Sequence, residues 1–198
     1  KNWMDGDYIS HKDINEVNLD AYKRIYLLSF PHGYKNKKEN DFKFEKKLLK
    51  KFEGKQVIYF STSKVYPNVL NCNEQTNLQP QSFYAENKFK IEQIIESITD
   101  DFTILRLSNV FSKNKWSKGS FFDTVSKNFK MNKVINFDVS LNSIRDFITI
   151  NSVENILKII SSKKITGIYN IGSEKGLTIN QILKSCFKEK FVDIKKIQ

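Results

Sequence analysis

Residues 57–68 read VIYFSTSKVYPN and residues 82–88 read SFYAENK, and these two stretches decide the fold. The first opens with a run of β-branched and aromatic residues, which predicts a buried strand over residues 57–61. The second leads into isoleucines at positions 91, 94, 95 and 98. These share one face of a helix and predict a helix over residues 82–98. A buried strand, a polar loop and an amphipathic helix in succession are typical of a parallel α/β sheet.

The same alternation continues on both sides of these stretches. Further buried strands are predicted at residues 25–30, 102–107 and 167–171, and short extended pieces at 134–137 and 147–150. Further helices are predicted at residues 39–52, 120–129, 153–160 and 179–187, the last with Thr178 as its N-cap. The 198 residues suffice for one sizeable core, so we expect a single α/β domain over residues 1–198. Its buried strands 25–30, 57–61 and 102–107 should be neighbours.

The chain is basic, with 33 lysines and arginines against 22 acidic residues and a formal net charge of +11. This charge raises the hypothesis of a nucleic-acid-associated module, because clustered cations neutralise phosphates. Only Arg24, Arg106 and Arg145 are arginines, whereas proteins that read base edges rely on the planar guanidinium. Scattered lysines indicate a solvated surface, so we expect no nucleic-acid partner.

The cysteines and the apolar runs narrow the class of protein further. Cys72 and Cys186 are far apart, and neither belongs to a C-x-x-C pair, so neither a metal site nor a disulfide framework is predicted. No stretch approaches the ~18 apolar residues that a membrane span needs. We therefore expect no metal and no membrane partner, and a reducing cytoplasm as the compartment.

The spacing Tyr84-x-x-x-Lys88 carries the chemistry, because it places both side chains on one face of the predicted helix. An ammonium close to a phenol favours the phenolate and lowers the tyrosine pKa toward a range useful for proton transfer. A hydroxyl from the strand end at residues 61–63 could orient a substrate oxygen beside it. The motif alone is a weak signal, because a lysine-rich chain with 8 tyrosines contains this spacing by chance. The alternative to a catalytic pair is an ordinary tyrosine and lysine on the surface.

Five segments together resemble the extended short-chain dehydrogenases/reductases of the NAD-dependent epimerase/dehydratase family, which modify nucleotide sugars. VIYFSTSKVYPN is similar to the strand and loop that carry their catalytic hydroxyl, and SFYAENK to their catalytic helix. The other three are LRLSNVF (105–111), SIRDFITINSVENILKII (143–160) and GIYNIGSEKGLTINQIL (167–183). All five occur in family order. The resemblance implies a Rossmann-like parallel sheet flanked by helices, with a small C-terminal substrate-binding part.

The resemblance also implies roles for individual residues. Tyr84 would be the acid/base, and Lys88 its partner and a ribose contact, so both would also bind the cofactor. Thr62 would supply the catalytic hydroxyl, with Ser63 a close second, and Ser61 would join the cofactor site. The implied cofactor is NAD or NADP, the implied partner a nucleotide-sugar substrate, and a homodimer is the expected assembly.

Substrate binding is implied mainly for residues 109–150 and 167–198. Asn109 and Arg145 match residues that contact the substrate diphosphate in the family, and an amide and a guanidinium are good partners for phosphate oxygens. Two plainer interpretations stay open. Arg145 could form an ordinary ion pair with the adjacent Asp146, and Asn109 could cap a loop.

The sequence departs from the family in two places. The seven glycines form no G-x-x-G-x-x-G turn, so the unit that receives the cofactor pyrophosphate is missing from these residues, and we expect it in a further portion of the natural protein. Ser63-Lys64 replaces the Asp-Glu pair of the 4,6-dehydratases, and Lys64 also replaces the cysteine of fucose-synthase-type enzymes. Both differences argue against those reactions.

The sequence therefore predicts an NAD(P)-dependent epimerase or 4-reductase that acts on a nucleotide-diphosphate sugar, with Tyr84 as the acid/base. The alternative is a non-catalytic remnant of this family, which would bind a sugar nucleotide or a partner chain without NAD.

Overall fold

The structure is a computed structural model that describes residues 6–10, 13–28, 42–112, 121–131 and 140–187. Its strands are β1 Arg24–Leu27, β2 Gln56–Thr62, β3 Phe102–Leu107, β4 Asn109–Phe111, β5 Ile144–Thr149, β6 Gly167–Ile171 and β7 Gly176–Thr178. Its α-helices are α1 Lys43–Lys50, α2 Phe83–Ile98, α3 Phe121–Lys130, α4 Ile150–Ser162 and α5 Ile179–Phe187. The chain divides into two compact units, Lys1–Ser108 with Ile156–Ile171, and Asn109–Asn155 with Gly172–Gln198.

The first unit is built on a four-stranded parallel sheet in the order β1-β2-β3-β6. The three strands predicted to be neighbours are neighbours, which confirms the predicted α/β class. Val57 and Tyr59 of β2 and Ile104 of β3 pack with the buried isoleucines of α2 and with Leu49 of α1. Full burial of each such side chain stabilises the fold by roughly 1.5–3 kcal/mol.

Helix α2 begins where its sequence predicts. The Ser82 hydroxyl accepts a hydrogen bond from the Ala85 backbone N–H at 3.3 Å, which makes Ser82 the N-cap. The last helical residue is Ile98, and the C-cap residue Thr99 has extended backbone angles. Its buried residues include Ile91, Ile94 and Ile95, the apolar face that the spacing predicted. The cap and the apolar face together fix how far α2 reaches along the sheet.

The second unit contains a three-stranded sheet in the order β4-β5-β7, in which β5 is parallel to β4 and antiparallel to β7. Phe122 and Val125 of α3, Phe147 of β5, and Ile182 and Leu183 of α5 form its core. Helix α5 has the predicted N-cap. The Thr178 hydroxyl accepts from the Gln181 N–H at 3.1 Å, and the Gln181 side chain accepts from the Thr178 N–H at 2.8 Å.

Strands β3 and β6 and helix α5 have the predicted residues, and the bounds of β2, α2 and α3 differ from the predicted ones by one residue. The extended piece predicted at 147–150 is wrong at both ends, because β5 begins at Ile144 and Ile150 already starts α4. The Thr149 hydroxyl accepts from the Ser152 N–H at 3.1 Å and so starts the helix at that point. Strand β1 ends at Leu27 and α1 covers Lys43–Lys50, both shorter than predicted. The ends predicted at residues 29–30 and 39–41, and the piece at 134–137, lie outside the described residues.

Candidate active site

The candidate site lies at the carboxyl edge of the four-stranded sheet. Thr62 is the last residue of β2, and it pairs with Leu107, the last residue of β3, which pairs in turn with Ile171 at the end of β6. The three strands therefore end level with one another. Open parallel sheets bind their ligands outside this edge.

A short 3₁₀ turn, Ser63–Val65, follows β2 directly. The Thr62 hydroxyl accepts a hydrogen bond from the Lys64 backbone N–H at 3.3 Å and caps this turn. The turn packs against α2. Local hydrogen bonding of a threonine therefore places Thr62 and Ser63 between the end of the sheet and the helix that carries the tyrosine.

Helix α2 presents Tyr84 in its first turn and Lys88 one turn later, on the same face. The Lys88 ammonium donates a hydrogen bond to the carbonyl oxygen of Phe60 at 2.7 Å. It also lies 4.8 Å from the centroid of the Tyr59 ring. Lys88 is only 6% exposed, so these two contacts offset the cost of burying its charge. They fix the ammonium at the end of β2.

Tyr84 is half-buried, and a second cation lies beside it. The ammonium of Lys64 is 5.9 Å from the centroid of the Tyr84 ring, within the range of a cation–π interaction. From the sequence, Lys64 was noted only because related enzymes have other residues at this position. The conformation of the Ser63–Val65 turn places its ammonium beside Tyr84. The predicted contact between the Tyr84 hydroxyl and that of Thr62 or Ser63 stays a prediction.

Ser61 is buried, and its hydroxyl donates a hydrogen bond to the carboxylate of Glu92 on α2. The same carboxylate forms an ion pair with Arg106 of β3, whose Nη2 lies 2.7 Å from Glu92 Oε2. Burial lowers the pKa of Arg106, but hydrogen bonds and charge interactions with Glu92 and Tyr66 outweigh burial and hold it above its ordinary value. The ion pair of Glu92 and Arg106 therefore contacts β2 at Ser61, one residue before the strand ends.

Sequence reasoning assigned no role to Glu92 or Arg106. Their sequence surroundings could have identified both residues, because each is a charged residue in an apolar stretch. Glu92 follows Ile91 on the buried face of α2, and Arg106 lies within FTILRL. Buried charges are normally paired. The sequence does not show which pair forms.

In the second unit, the Asn109 side-chain amide donates to the backbone carbonyl of Asp146 at 2.9 Å and ties β4 to β5. The Arg145 guanidinium donates to the Ile144 carbonyl at 2.8 Å. The Asp146 carboxylate accepts from the Ser173 backbone N–H at 3.0 Å. Within the described ranges no ion pair joins Arg145 to Asp146. The diphosphate roles of Asn109 and Arg145 stay predictions.

Gly172 is fitted closely to Asp146. A Cβ atom at this position would lie 2.0 Å from Asp146 Oδ2, so any side chain here would force the Asp146 carboxylate to move. The absence of a side chain at Gly172 therefore lets Asp146 bind the Ser173 N–H.

Among the residues that the structure describes, no group of three or more histidine, cysteine, aspartate or glutamate side chains could hold a metal ion. In the same part of the chain, no helix combines the length and the apolar character that a membrane crossing requires.

Known proteins with this fold are found among solved structures. MoeE5, solved with UDP-glucose and NAD, superposes with a TM-score of 0.73 at 17% identity, over 88% of this chain and 66% of its own. The UDP-glucuronic acid 4-epimerase of Bacillus cereus, solved with UDP-glucuronic acid and NAD, gives 0.71 at 21% identity, over 88% and 62%. TunA, an NAD-dependent NDP-hexosamine 5,6-dehydratase, gives 0.69 at 18% identity, over 89% and 62%.

These likenesses establish the fold, and the chain spans less than two thirds of the length of each of these structures. Among curated proteins, none matches the sequence. The sequence profile of the NAD dependent epimerase/dehydratase family matches residues 42–172, a range that includes β2, α2, β3 and β6. On this match, which covers well over half of its residues, the chain belongs to the NAD dependent epimerase/dehydratase family.

Proposed function

We propose that the protein is an NAD(P)-dependent epimerase or 4-reductase of a nucleotide-diphosphate sugar, with Tyr84 as its acid/base. One observation carries the proposal. The Lys88 ammonium is held at the carboxyl end of β2 by the Phe60 carbonyl and the Tyr59 ring, one helical turn from Tyr84. The spacing of four residues sets this cation on the helix face that carries the Tyr84 phenol, where it would favour the phenolate form and support proton transfer near neutral pH.

The described residues fit the ribose and nicotinamide end of the cofactor. Lys88 offers a fixed ammonium for ribose hydroxyls, and Tyr84 lies on the same face of α2 at the ligand edge of the sheet. Ser61 would contribute through its backbone, because its hydroxyl is engaged with Glu92. No residue in this sequence forms the Gly-rich turn for the pyrophosphate. Bound NAD(P) would take or give a hydride at a sugar carbon.

The residues of this chain would then bind and orient the sugar and move its proton. Thr62 or Ser63 would position the sugar hydroxyl by a hydrogen bond at the strand end. Tyr84 would exchange the proton of that hydroxyl, and Lys88 would hold the charge that forms on the phenol. Positioned acid–base help of this kind contributes ~10²–10⁴-fold to rate.

A nucleotide sugar is the substrate class that the proposal implies. MoeE5 and the Bacillus cereus 4-epimerase were solved with UDP-sugars. Asn109 and Arg145, in the substrate-binding elements proposed at 109–150 and 167–198, would bind its diphosphate. A homodimer and a cytoplasmic location stay predictions.

Epimerisation or reduction is favoured over dehydration by the turn after β2. Dehydration needs a proton-transferring group for the second carbon, and related 4,6-dehydratases place two carboxyl groups next to the catalytic threonine. Here those positions are Ser63 and Lys64, and the Lys64 ammonium lies over the Tyr84 ring. A cation at that place helps to stabilise a phenolate and supplies no carboxylate base.

The test is to incubate the purified full-length protein with a panel of UDP-, GDP- and dTDP-sugars, using NAD or NADP for epimerisation and NADH or NADPH with 4-keto sugars for reduction. Products are separated by chromatography. We expect turnover of at least one sugar by the wild type and a loss of turnover in Tyr84→Phe. Tyr8→Phe is the matched control, because Tyr8 is 86% exposed. A wild type that binds a sugar nucleotide but neither NAD nor NADP would favour the remnant instead.

A further inference from the structure

We propose that the buried ion pair of Glu92 and Arg106 is a positioning unit for the candidate active site. It holds both ends of the segment that carries Thr62 and Ser63 and sets that segment against Tyr84 and Lys88. This inference rests on the proposed function. Glu92 is 0% exposed and Arg106 3% exposed, so the pair belongs to the interior of the first unit.

The pair binds one residue on each side of the segment 62–65, which carries Thr62 and Ser63. On the N-terminal side, the Ser61 hydroxyl donates to Glu92 Oε1. On the C-terminal side, Arg106 Nη1 donates to the Tyr66 hydroxyl at 2.8 Å, and the Arg106 guanidinium lies 5.1 Å from the Tyr66 ring centroid. The four residues between them, 62–65, are therefore held at each end by one charge pair.

The geometry of the pair is rigid. Arg106 Nε donates to both carboxylate oxygens of Glu92, at 3.3 and 3.2 Å, and Nη2 donates to Oε2 at 2.7 Å. Such forked contacts between guanidinium and carboxylate fix direction as well as distance. The Tyr66 hydroxyl donates onward to the side-chain oxygen of Asn170 on β6 at 2.8 Å. The network thus joins α2, β2, β3 and β6 around one turn.

Glu92 also connects the network to the catalytic helix. Tyr84, Lys88 and Glu92 are spaced four residues apart, so all three lie along one face of α2. Lys88 binds the Phe60 carbonyl while Glu92 binds the next residue of β2, Ser61. Adjacent residues of the strand are therefore tied to adjacent turns of the helix. A rotation of α2 that moved Tyr84 would have to break both contacts.

Stability alone does not account for the pair. Well-packed apolar residues of similar volume are often as stabilising as a buried ion pair, because desolvation of two charges offsets most of their attraction. What apolar residues cannot supply is directional contact to Ser61 and Tyr66. The position of the segment is therefore the property that the pair controls.

The pair carries no net charge, and this makes its role separable from an electrostatic one. Among the described residues, the charged groups near the pair or the turn include Lys88, Lys64, Glu96 on α2 and Glu74. The Glu74 carboxylate accepts from the Asn170 N–H at 2.7 Å. Removal of one member of the pair leaves the other charge uncompensated. Removal of both leaves the charge balance of the site as it was.

The deciding variant is Glu92→Met/Arg106→Met, which removes the directional contacts and keeps the net charge. We expect a folded protein whose kcat falls about 10- to 100-fold, as for misplaced reacting groups, with little change in KM and an unshifted pH–rate profile. Glu92→Gln alone should move the acid limb of the profile to lower pH, and Arg106→Met alone to higher pH. Lys164→Met, which removes an exposed ion pair with Asp101, is the control and should behave as the wild type.

A folded double variant with wild-type kcat would overturn the inference. If the double variant does not fold, Tyr66→Phe decides, because it keeps the ring and removes the hydroxyl that joins Arg106 to Asn170. Its kcat should fall about 3- to 10-fold, a change of the size that one net hydrogen-bond contribution produces, and an unchanged kcat would overturn the inference in the same way. Failure of the proposed function looks different: the wild type would show no turnover, or Tyr84→Phe would match it.

Discussion

The ammonium of Lys88 donates a hydrogen bond to the carbonyl oxygen of Phe60 at 2.7 Å. This contact ties the second turn of α2 to the end of β2. It brings a charge from the helix to the strand end where Thr62 and its hydroxyl lie. The contact therefore sets one face of α2 against the end of β2.

Replacement of Lys88 by methionine should lower kcat by a factor comparable to that of Tyr84→Phe, roughly 10²–10⁴. In the proposed mechanism both residues serve one proton-transfer unit, so the two losses should not add. Steady-state rates of the two single variants and the double variant check this. A double variant that is slower by the product of both factors would show that Lys88 acts independently of Tyr84.

Reversal of the charge at Lys64 should shift the pH dependence of turnover. The Lys64 ammonium lies 5.9 Å from the Tyr84 ring centroid, and a carboxylate in its place would disfavour the phenolate. Lys64→Glu should therefore move the acid limb of the kcat/KM profile to higher pH by about half a unit to one unit, as expected for a partly solvated pair. Lys90→Glu makes the same charge change at an exposed position of α2 and should leave the limb in place. Coincident limbs for wild type and Lys64→Glu would contradict the electrostatic role.

Gly172→Ala should destabilise the second unit. The new Cβ would lie 2.0 Å from Asp146 Oδ2, so the carboxylate must move and lose its contacts with Ser173. Overpacking of this kind costs about 1–3 kcal/mol, measurable by urea denaturation. Gly6→Ala is the control, since no atom lies within 4 Å of a Cβ placed there. Equal midpoints for Gly172→Ala and the wild type would mean that Asp146 relaxes without cost.

The acidic residue Glu96 should make the fold less stable as pH rises. Burial and the nearby Glu92 carboxylate raise the pKa of Glu96, while Arg106 lowers it in part. A carboxyl with a raised folded pKa contributes stability below its unfolded pKa, and this contribution is lost as pH rises through the folded value.

The neutral variant Glu96→Gln should therefore match the wild type near pH 3, below the unfolded pKa of about 4.3. At pH 7 it should be more stable, by less than about 1 kcal/mol because the group is largely solvated. Urea denaturation at both pH values checks this, with exposed Glu53→Gln as the control. A Glu96→Gln variant less stable than the wild type at pH 7 would contradict the prediction, because the ionised Glu96 would then stabilise the fold.

Much of the fold could be predicted from local patterns of apolar residues, because the strands of the sheet are strongly apolar and end at clear boundaries. Strand β3 lies between Asp101 and Ser108, and β6 begins at Gly167, which has a positive φ of 110°. The start of α4 was missed because Ile150 continues an apolar run, and only the Thr149 hydroxyl marks the change to helix.

The candidate site was predictable only in part, for a physical reason. Tyr84 and Lys88 are four residues apart on one helix, so their shared face follows from helical geometry. Glu92 and Arg106 belong to different elements, and their pairing depends on how α2 lies on the sheet. Lys64 lies in the turn that Thr62 caps, and it comes near Tyr84 only because this turn packs against α2. Contacts of this kind follow from tertiary packing and are not encoded in local spacing.

The most direct test of the central claim is a single-turnover measurement with the full-length protein. Enzyme loaded with NAD or NADP, or with the reduced cofactor and a 4-keto sugar for the reductase reaction, is used in excess over the nucleotide sugar. The near-ultraviolet absorbance of reduced nicotinamide is followed in the wild type and in Tyr84→Phe. We expect a rapid absorbance change in the wild type that is slower by ~10²–10⁴-fold in the variant, with nucleotide-sugar affinity preserved. An absorbance change of equal rate in both proteins would contradict the assignment of Tyr84 as the acid/base.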